Sequence, residues 1–446
     1  MIDRRDTLRL GLLTLALAGG AGGLAACSGD TDGGLKPAPD VELDGIELVS
    51  SDVERAAGDT TLVPRVVGGL RLFAGDLYRQ LAAEPGNLVL SPYSVAVALG
   101  MTLVGAAGTT AAEMREVLHA DVLGERWHKG LNAVTAGTDA RAGERKRADG
   151  SKATIELATA NQLFGQQGVG WEADFLDLLA KEYGAGLRAV DYETAPEAAR
   201  TLINAWVEQQ THDRIVDLVP EGIIDPSTRL VLVNAIYLKA PWEQPFEKSL
   251  TATGDFHRLD GSTVSTDLMR RPDVAAGWVS GDGFRAVVLP YAGGELAMTV
   301  VLPDDGLFAA VEAELAKGAY GAVLAQRATP AIVDLTLPRW TFRTAVPLKD
   351  ALEAMGMPTA FGDGADFTPM TDEDLDLVIA EVLHQGFIAV DEEGTEASAA
   401  TAVVMAETAA PVPEVLVVDR PFLFLIHDTE HGTPLFVGRV TDPTAE

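Results

Sequence analysis

The segment from Asp391 to Pro413 has a composition that a protease could cut and a β-sheet could accept. It reads DEEGTEASAATAVVMAETAAPVP and lies between two predicted strands. A connection of this length in a compact domain is usually functional or disordered. In an extended conformation one face would carry only uncharged side chains, namely Thr395, Ala397, Ala399, Thr401, Val403 and Met405. The segment is therefore predicted to be a strand that could join an existing sheet, with Gly394 as a permissive pivot.

A competing interpretation is that the chain is itself an enzyme, namely an exported serine or metal hydrolase. The sequence contains no Gly-x-Ser-x-Gly and no His-Glu-x-x-His motif. Of the seven histidines only His427 and His431 lie close together, and they flank the short segment Asp428-Thr429-Glu430. This pair is predicted to belong to a solvated hairpin, so neither a metal nor a cofactor is expected.

The N-terminal residues predict export. Arg4 and Arg5 precede an apolar run over residues 8–18, and Leu24-Ala25-Ala26-Cys27 resembles a bacterial lipobox. The paired arginines also loosely resemble a twin-arginine signal, so both export routes remain open. We expect a lipoprotein signal over residues 1–27, with lipidation at Cys27 and a cell-envelope or extracellular location. Because Cys27 is the only cysteine, an internal disulfide is excluded.

Composition limits the partners and the domain organisation. The 446 residues carry a formal charge of −32, which would repel nucleic acid and anionic lipid headgroups. A membrane contact is therefore expected only through the lipid anchor. Residues 28–61 are rich in Gly, Asp and Pro and are predicted to be a flexible spacer, and residues 62–446 are predicted to form one domain.

The spacing of apolar residues predicts the helices and strands that must position the 391–413 segment. Apolar residues recur every three or four positions from Val66 to Leu81, which predicts an amphipathic helix. Ser91-Pro92 predicts the start of a second helix that continues through Met101. The apolar run over residues 230–238 predicts a strand buried on both faces, in which Asn234 needs partners. Further strands are predicted over residues 88–90, 286–289, 298–302, 377–384, 387–390, 414–418, 422–427 and 434–440.

Several separate motifs resemble those of the serpin family. Glu393-Gly394-Thr395-Glu396-Ala397 and the small residues that follow resemble the hinge of inhibitory members. Six further segments also resemble serpin motifs and occur in the order that the family shows. They are GNLVLSPYS (86–94), NAWVE (204–208), LVNAIYLK (232–239), ADF (365–367), RPFLF (420–424) and FVGRV (436–440). The resemblance covers residue 66 to the end. It implies an α+β fold: a mixed multi-helix domain around a large, mainly antiparallel central β-sheet, with additional smaller sheets and an exposed reactive loop at about residues 391–413.

The resemblance also implies a function, which is suicide inhibition of a serine-type protease by a chain that is not itself an enzyme. The protease would form a covalent acyl-enzyme, and the cut loop would then insert as a new central strand. Family spacing from Gly394 places the cut at Thr408-Ala409, with Glu407-Thr408 and Ala409-Ala410 as alternatives. A small residue there favours elastase-like or subtilisin-like targets. The inhibitor is expected to be a monomer.

Individual residues carry roles that the resemblance implies. The hinge comprises Glu392, Glu393, Gly394, Thr395, Glu396, Ala397, Ser398, Ala399, Ala400, Thr401 and Ala402. Ser91, Ser94, Asn234 and His384 match a polar cluster beneath the main sheet and are expected to hydrogen-bond to one another. Trp242 matches the tryptophan under the point where the loop first inserts. Arg339 and Glu392 match a pair that can form a salt bridge there, and if that pair is exposed its contribution to stability would be small.

A second function within the same fold is a non-inhibitory serpin that acts as a surface binding protein. Such members tend to carry bulky, charged or proline residues in the hinge. Between Gly394 and Met405 the only residue of that kind is Glu396. The hinge composition therefore favours inhibition.

Overall fold

The computed structural model describes residues 45–317, 327–373, 375–396 and 412–445. Within these ranges the two predicted helices are present as α1 and α2, and six further helices were not predicted. Their bounds are α1 Val63–Leu81, α2 Pro92–Leu103, α3 Gly108–Val117, α4 Arg126–Asp139, α5 Ala173–Tyr183, α6 Pro196–Gln210, α7 Phe308–Leu315 and α8 Lys349–Met355, with 3-10 turns at Thr60–Leu62, Lys248–Leu250 and Pro358–Phe361. Helix α2 begins where the sequence predicts, because the Ser91 hydroxyl accepts a hydrogen bond from the Ser94 backbone N–H.

A mixed central sheet has the strand order β1-β5-β4-β6-β14-β13-β12, with β3 on β4. Most neighbours are antiparallel, whereas β4 with β5 and β6 with β13 run parallel. The strands are β1 Glu47–Val49, β3 Gly143–Lys146, β4 Lys152–Gln166, β5 Leu187–Val190, β6 Leu230–Pro241, β12 Trp340–Pro347, β13 Glu381–Val390 and β14 Gly394–Thr395.

A second sheet has the order β15-β11-β8-β9-β10-β16-β17-β2, with β7 on β8. Its strands are β2 Leu88–Leu90, β7 Ala252–His257, β8 Thr263–Gly281, β9 Phe284–Pro290, β10 Leu296–Pro303, β11 Thr329–Pro338, β15 Glu414–Val417, β16 Phe422–Asp428 and β17 Pro434–Val440. Among the described residues it has nine strands against eight in the central sheet, and the nineteen-residue β8 pairs with β7, β9 and β11.

Alternating residues of β6 bury both faces of the central sheet. Leu230, Leu232 and Ile236 face the main core with α1, α2 and the second sheet. Val231 and Val233 face a smaller core in which they pack with Ile203 and Trp206 of α6 and with other apolar side chains. Helix α6 therefore covers the outer face of this sheet, and the unbroken apolar sequence of β6 follows from that double burial.

Three sequence predictions need correction. Residues 377–384 and 387–390 were expected to be two strands, but one strand, β13, runs through Gln385 and Gly386. The predicted flexible spacer does not extend to residue 61, because β1 pairs with β5 and the Ala56 N–H donates to the Lys181 carbonyl. The hairpin between His427 and His431 is solvated only at its turn, where Thr429 and Glu430 are exposed, because His427 itself is buried and contacts the Thr299 hydroxyl at 3.0 Å.

Candidate functional site

The boundary between β6 and β13 differs along its length, and we call it the seam. At its closed end the two strands pair directly, from Glu381 opposite Val231 to Gly386 opposite Ile236. At its open end β14 lies between them, antiparallel to both, with Thr395 opposite Ala240 and opposite Val390. The chain that follows Gly394 thus already contributes a short interior strand to the central sheet.

Close backbone packing explains the glycines of the seam. A Cβ atom on Gly394, whose φ is +155°, would lie 2.3 Å from the Ala240 carbonyl oxygen. At Gly386, the last direct pair, a Cβ would lie 2.9 Å from the Val89 carbonyl oxygen of β2. Both positions therefore require glycine, one where the new strand begins and one where the closed end stops.

Thr395 and Trp242 line the inner side of the open end. The Thr395 hydroxyl lies 2.7 Å from the Tyr291 hydroxyl, and both residues are buried. The Tyr291 ring stacks on Trp242 with centroids 4.7 Å apart. The Trp242 indole N–H donates to the Asp391 carbonyl at 3.1 Å, and its backbone N–H donates to the Glu393 carbonyl at 2.8 Å. Trp242 therefore lies under the start of β14.

Glu392 and Arg339 form a bidentate ion pair at the same end. Both carboxylate oxygens accept from the Arg339 Nε at 3.0 Å, and the Thr251 hydroxyl donates at 2.5 Å. Burial alone would raise the pKa of Glu392, but the hydrogen bonds from Arg339 and Thr251 hold it below its usual range. The pair is exposed on one side only, because Glu392 is only 1% exposed, whereas Arg339 is half-exposed.

A turn before β14 fixes its direction. The Asp391 carboxylate accepts from the backbone N–H groups of Glu393, at 2.8 Å, and Gly394, at 3.2 Å. Burial raises the pKa of Asp391 despite these two bonds. Glu393 makes an ion pair with Lys248 at 3.4 Å. The acidic residues before Gly394 thus form local hydrogen bonds and an ion pair, and these contacts direct the chain into the sheet.

The predicted polar cluster is assembled beneath the closed end. His384 and Asn234 face each other across the seam, with 2.5 Å between His384 Nδ1 and Asn234 Oδ1. The Asn234 amide donates to the Ser94 hydroxyl at 2.7 Å and to the Asn161 carbonyl at 2.5 Å. The Ser91 N–H donates to His384 Nε2 at 3.1 Å. One buried network therefore joins three neighbouring strands and the first turn of α2.

His384 is neutral in this network. Because Nε2 accepts from Ser91, the ring proton lies on Nδ1 and donates to Asn234. Burial lowers the pKa of His384 to about 4. A second proton would remove the acceptor that Ser91 uses, so the cluster requires the uncharged ring.

Part of the predicted site lies outside the described residues. This holds for Ala397, Ser398, Ala399, Ala400, Thr401 and Ala402 of the hinge, for Glu407, Thr408, Ala409 and Ala410 around the reactive bond, and for Cys27. In the described part of the chain no three His, Cys, Asp or Glu side chains gather as a metal site. Nor does any described helix combine the length and apolarity needed to cross a bilayer.

The sequence did not reveal several residues of the site. Asn161 completes the polar cluster from β4, and Tyr291 and Thr251 hold Thr395 and Glu392. Arg214 reaches Glu396 from the turn after α6. The argument made for Asn234 did not reach Asn161, because no strand was predicted over residues 152–166.

The chain matches one protein-family model, described as Serpin (serine protease inhibitor), over residues 69–443. Human Serpin B4 is 37% identical over 385 residues, covering 83% of this chain and 97% of the relative. The leukocyte elastase inhibitor of Bos taurus is 35% identical over 386 residues, again 83% and 97%. The crystal structure of Serpin48 from Tenebrio molitor is similar with a TM-score of 0.75 and 30% identity, covering 86% of this chain and 99% of that one.

Proposed function

The chain belongs to the serpin family, and we propose that it inhibits a serine-type protease irreversibly, as a suicide substrate whose cut loop inserts into the central sheet. The observation that carries this proposal is the position of Gly394 and Thr395. They already form a strand between β6 and β13, and that strand is antiparallel to both. In the same register residues 396–405 could extend it along the seam as far as Leu230, the first residue of β6.

Insertion would exchange one ladder of hydrogen bonds for two. The closed end holds six parallel residue pairs, from Glu381 to Gly386. An inserted strand would break these pairs and form antiparallel ladders with both neighbours, which are at least as stable per residue. The small side chains Ala397–Ala402 suit the narrow space between strands. The free energy for trapping an enzyme would come from this exchange, in a native state held kinetically above the inserted state.

The covalent step follows serine protease chemistry. The protease serine Oγ attacks the Thr408 carbonyl carbon, the bond to Ala409 breaks, and a proton passes through the enzyme's histidine to the new amine. Thr408 is left as an ester on the enzyme. Thirteen residues beyond Thr395, at 3.3 Å per residue, correspond to a displacement of about 40 Å. The ester is trapped if this displacement precedes its hydrolysis.

A small uncharged residue at the cut favours elastase-like and subtilisin-like enzymes. Their shallow pockets accept Thr408 or Ala409, and a trypsin-like pocket with an aspartate gains no charge partner from either. Similarity to a leukocyte elastase inhibitor supports the same class of target. We also propose that Cys27 carries a lipid and that the residues after it hold the inhibitor at a cell envelope.

The proposal is tested by incubating the full chain with an elastase, a subtilisin and a trypsin. We expect a complex with the first two that survives denaturing electrophoresis, and a released peptide that begins at Ala409. Cleavage by all three enzymes without any covalent complex contradicts inhibition and favours a non-inhibitory binding protein. A released peptide that begins at Thr408 or Ala410 moves the reactive bond but keeps the mechanism.

A further inference from the structure

Glu396 follows β14 and leaves the extended conformation. Its backbone N–H still donates to the Ala389 carbonyl at 2.9 Å, which continues the ladder by one bond. Its φ is +47°, in the left-handed region that glutamate seldom adopts. A local interaction must therefore hold Glu396 there against its intrinsic preference.

That interaction is an ion pair with Arg214. The Glu396 side chain is only 15% exposed, and one of its carboxylate oxygens contacts the Arg214 guanidinium. The other oxygen is buried without a hydrogen bond, and the Tyr237 hydroxyl lies beside the carboxylate. Burial raises the pKa of Glu396 although Arg214 opposes the shift. Arg214 is therefore the main charge that compensates a poorly solvated carboxylate.

Arg214 is itself held by the turn that follows α6. Its backbone N–H donates to the Thr211 carbonyl at 3.1 Å, and His212 and Asp213 before it have left-handed φ angles of 52° and 62°. The next residue, Ile215, is fully buried in the core under α6. The His212 ring packs edge-on against Tyr237, with centroids 6.1 Å apart. This turn fixes the guanidinium over the outer face of the open end.

The strand register shows what Glu396 would do in an extended conformation. Because Thr395 faces Tyr291 on the inner side, Glu396 would face the opposite side, towards α6. Antiparallel pairing of Thr395 with Ala240 would place Glu396 opposite Lys239, whose Nζ contacts Glu156 at 2.8 Å. A second cation thus lies at the position that the carboxylate would reach.

Three rungs separate the end of β14 from the closed end. Residues 237–239 of β6 and 387–389 of β13 lie between the Thr395 rung and the last direct pair, Ile236 with Gly386. Glu396 and the two residues after it could extend β14 along these rungs before any direct pair of the seam breaks. This step precedes the separation of β6 from β13 and requires Glu396 to leave the left-handed conformation in which it contacts Arg214.

We propose that Arg214 is a positioning residue that sets how far the loop is inserted before cleavage, by holding Glu396 in its left-handed conformation three rungs short of the closed end. The proposal rests on the proposed insertion mechanism. Once Arg214 is lost, Glu396 becomes extended, pairs with Lys239, and allows the next residues to follow. Uncleaved protein then converts faster to an inserted, inactive form.

The test compares Arg214→Gln with Arg214→Lys in the full chain, using two readouts that need no protease. Hydrogen exchange measured by mass spectrometry on a peptide covering residues 394–398 reports insertion depth. The rate at which warmed protein becomes resistant to urea reports conversion. For Arg214→Gln we expect about tenfold slower exchange and about tenfold faster conversion, as for the loss of one charged hydrogen bond. Arg214→Lys keeps the charge and is expected to restore most of both values.

Arg270→Gln is the matched control, because Arg270 is as exposed as Arg214 and pairs with Asp334 on the second sheet. It is expected to change neither readout. Wild-type exchange and conversion in Arg214→Gln would overturn the proposal. So would faster exchange with slower conversion, which would mean that Arg214 keeps the hinge inside the sheet. Failure to trap any protease while the exchange shift persists would instead contradict the proposed function alone.

Discussion

The two ends of the seam are held by different interactions. The closed end is held by a buried polar cluster that joins β4, β6 and β13 through neutral hydrogen bonds. The open end is held by two ion pairs next to β14, and the arginines of these pairs, Arg339 and Arg214, are half-exposed. Breaking a buried neutral network leaves several polar groups unsatisfied, whereas a guanidinium that is half in water gains less from its carboxylate partner. The difference indicates that the sheet should open from the Thr395 end and resist at His384.

The largest expected effect comes from blocking the open end with Thr395→Arg. Thr395 is 2% exposed between two strands, so a buried guanidinium there would stall insertion while the loop could still be cut. We expect the number of inhibitor molecules consumed per protease molecule to rise by about tenfold or more. This number is measured by titrating the inhibitor against an elastase whose active-site concentration is known.

Thr263→Arg, which adds the same charge at an exposed strand end, is the control and should leave the titration unchanged. Unchanged trapping by Thr395→Arg would show that β14 need not extend for inhibition.

The next largest effect is expected from Asn234→Ala, which removes the hydrogen bonds that hold the closed end. The substitution leaves His384, Ser94 and Asn161 without their shared partner, so we expect about 3 kcal/mol less native stability and faster spontaneous conversion. Urea unfolding and incubation at elevated temperature measure the two.

Gln162→Ala is the matched control, since Gln162 is a buried amide on β4 that donates to the Gly186 carbonyl away from the seam. It should lower stability without accelerating conversion. Equal acceleration by both variants would argue against a special role for the cluster.

Acid should weaken the closed end before the open end. Burial lowers the pKa of His384 to about 4, below the 6.5 of a free histidine, so the unfolded chain takes up the proton first. The stability from this neutral ring is fully present above pH 6.5 and is lost as the pH falls towards 4. We expect His384 to account for about 2 kcal/mol between pH 6.5 and 5, measured by urea unfolding at several pH values.

His128 has a pKa lowered to about 4 by burial and should contribute a similar slope. His384→Gln and His128→Gln should therefore both flatten the pH dependence, but only the first should change the rate of spontaneous conversion. Identical conversion rates would place the acid sensitivity outside the seam.

The smallest effect is expected from Arg339→Met at the open end. Glu392 keeps its bond from Thr251 but loses its ion pair, and because Arg339 is half-exposed we expect a loss of about 1 kcal/mol. The midpoint of urea unfolding measures it, with Arg270→Met, on the exposed pair with Asp334, as the control. A loss as large as that of Asn234→Ala would remove the contrast between the two ends.

Much of the site could be predicted because its signals are local. The Ser91-Pro92 helix start, the doubly buried run of β6 and the small residues after Gly394 depend on backbone preference and on side-chain size. The sequence could predict that Asn234 has hydrogen-bond partners, because an asparagine inside an apolar strand requires them. That Asn161 is one of these partners could not be predicted, because the contact joins strands more than 70 residues apart.

Periodicity and short motifs were enough to predict the family, helices α1 and α2, several strands and a segment able to become a strand. Three other features depend on how the chain folds in space, namely where β14 stops, that β1 joins the sheet edge, and that Glu392 is buried. The pairing of Arg214 with Glu396 links residues 182 positions apart through a left-handed turn. Such contacts arise from how packed elements are placed, and no local pattern of residues specifies them.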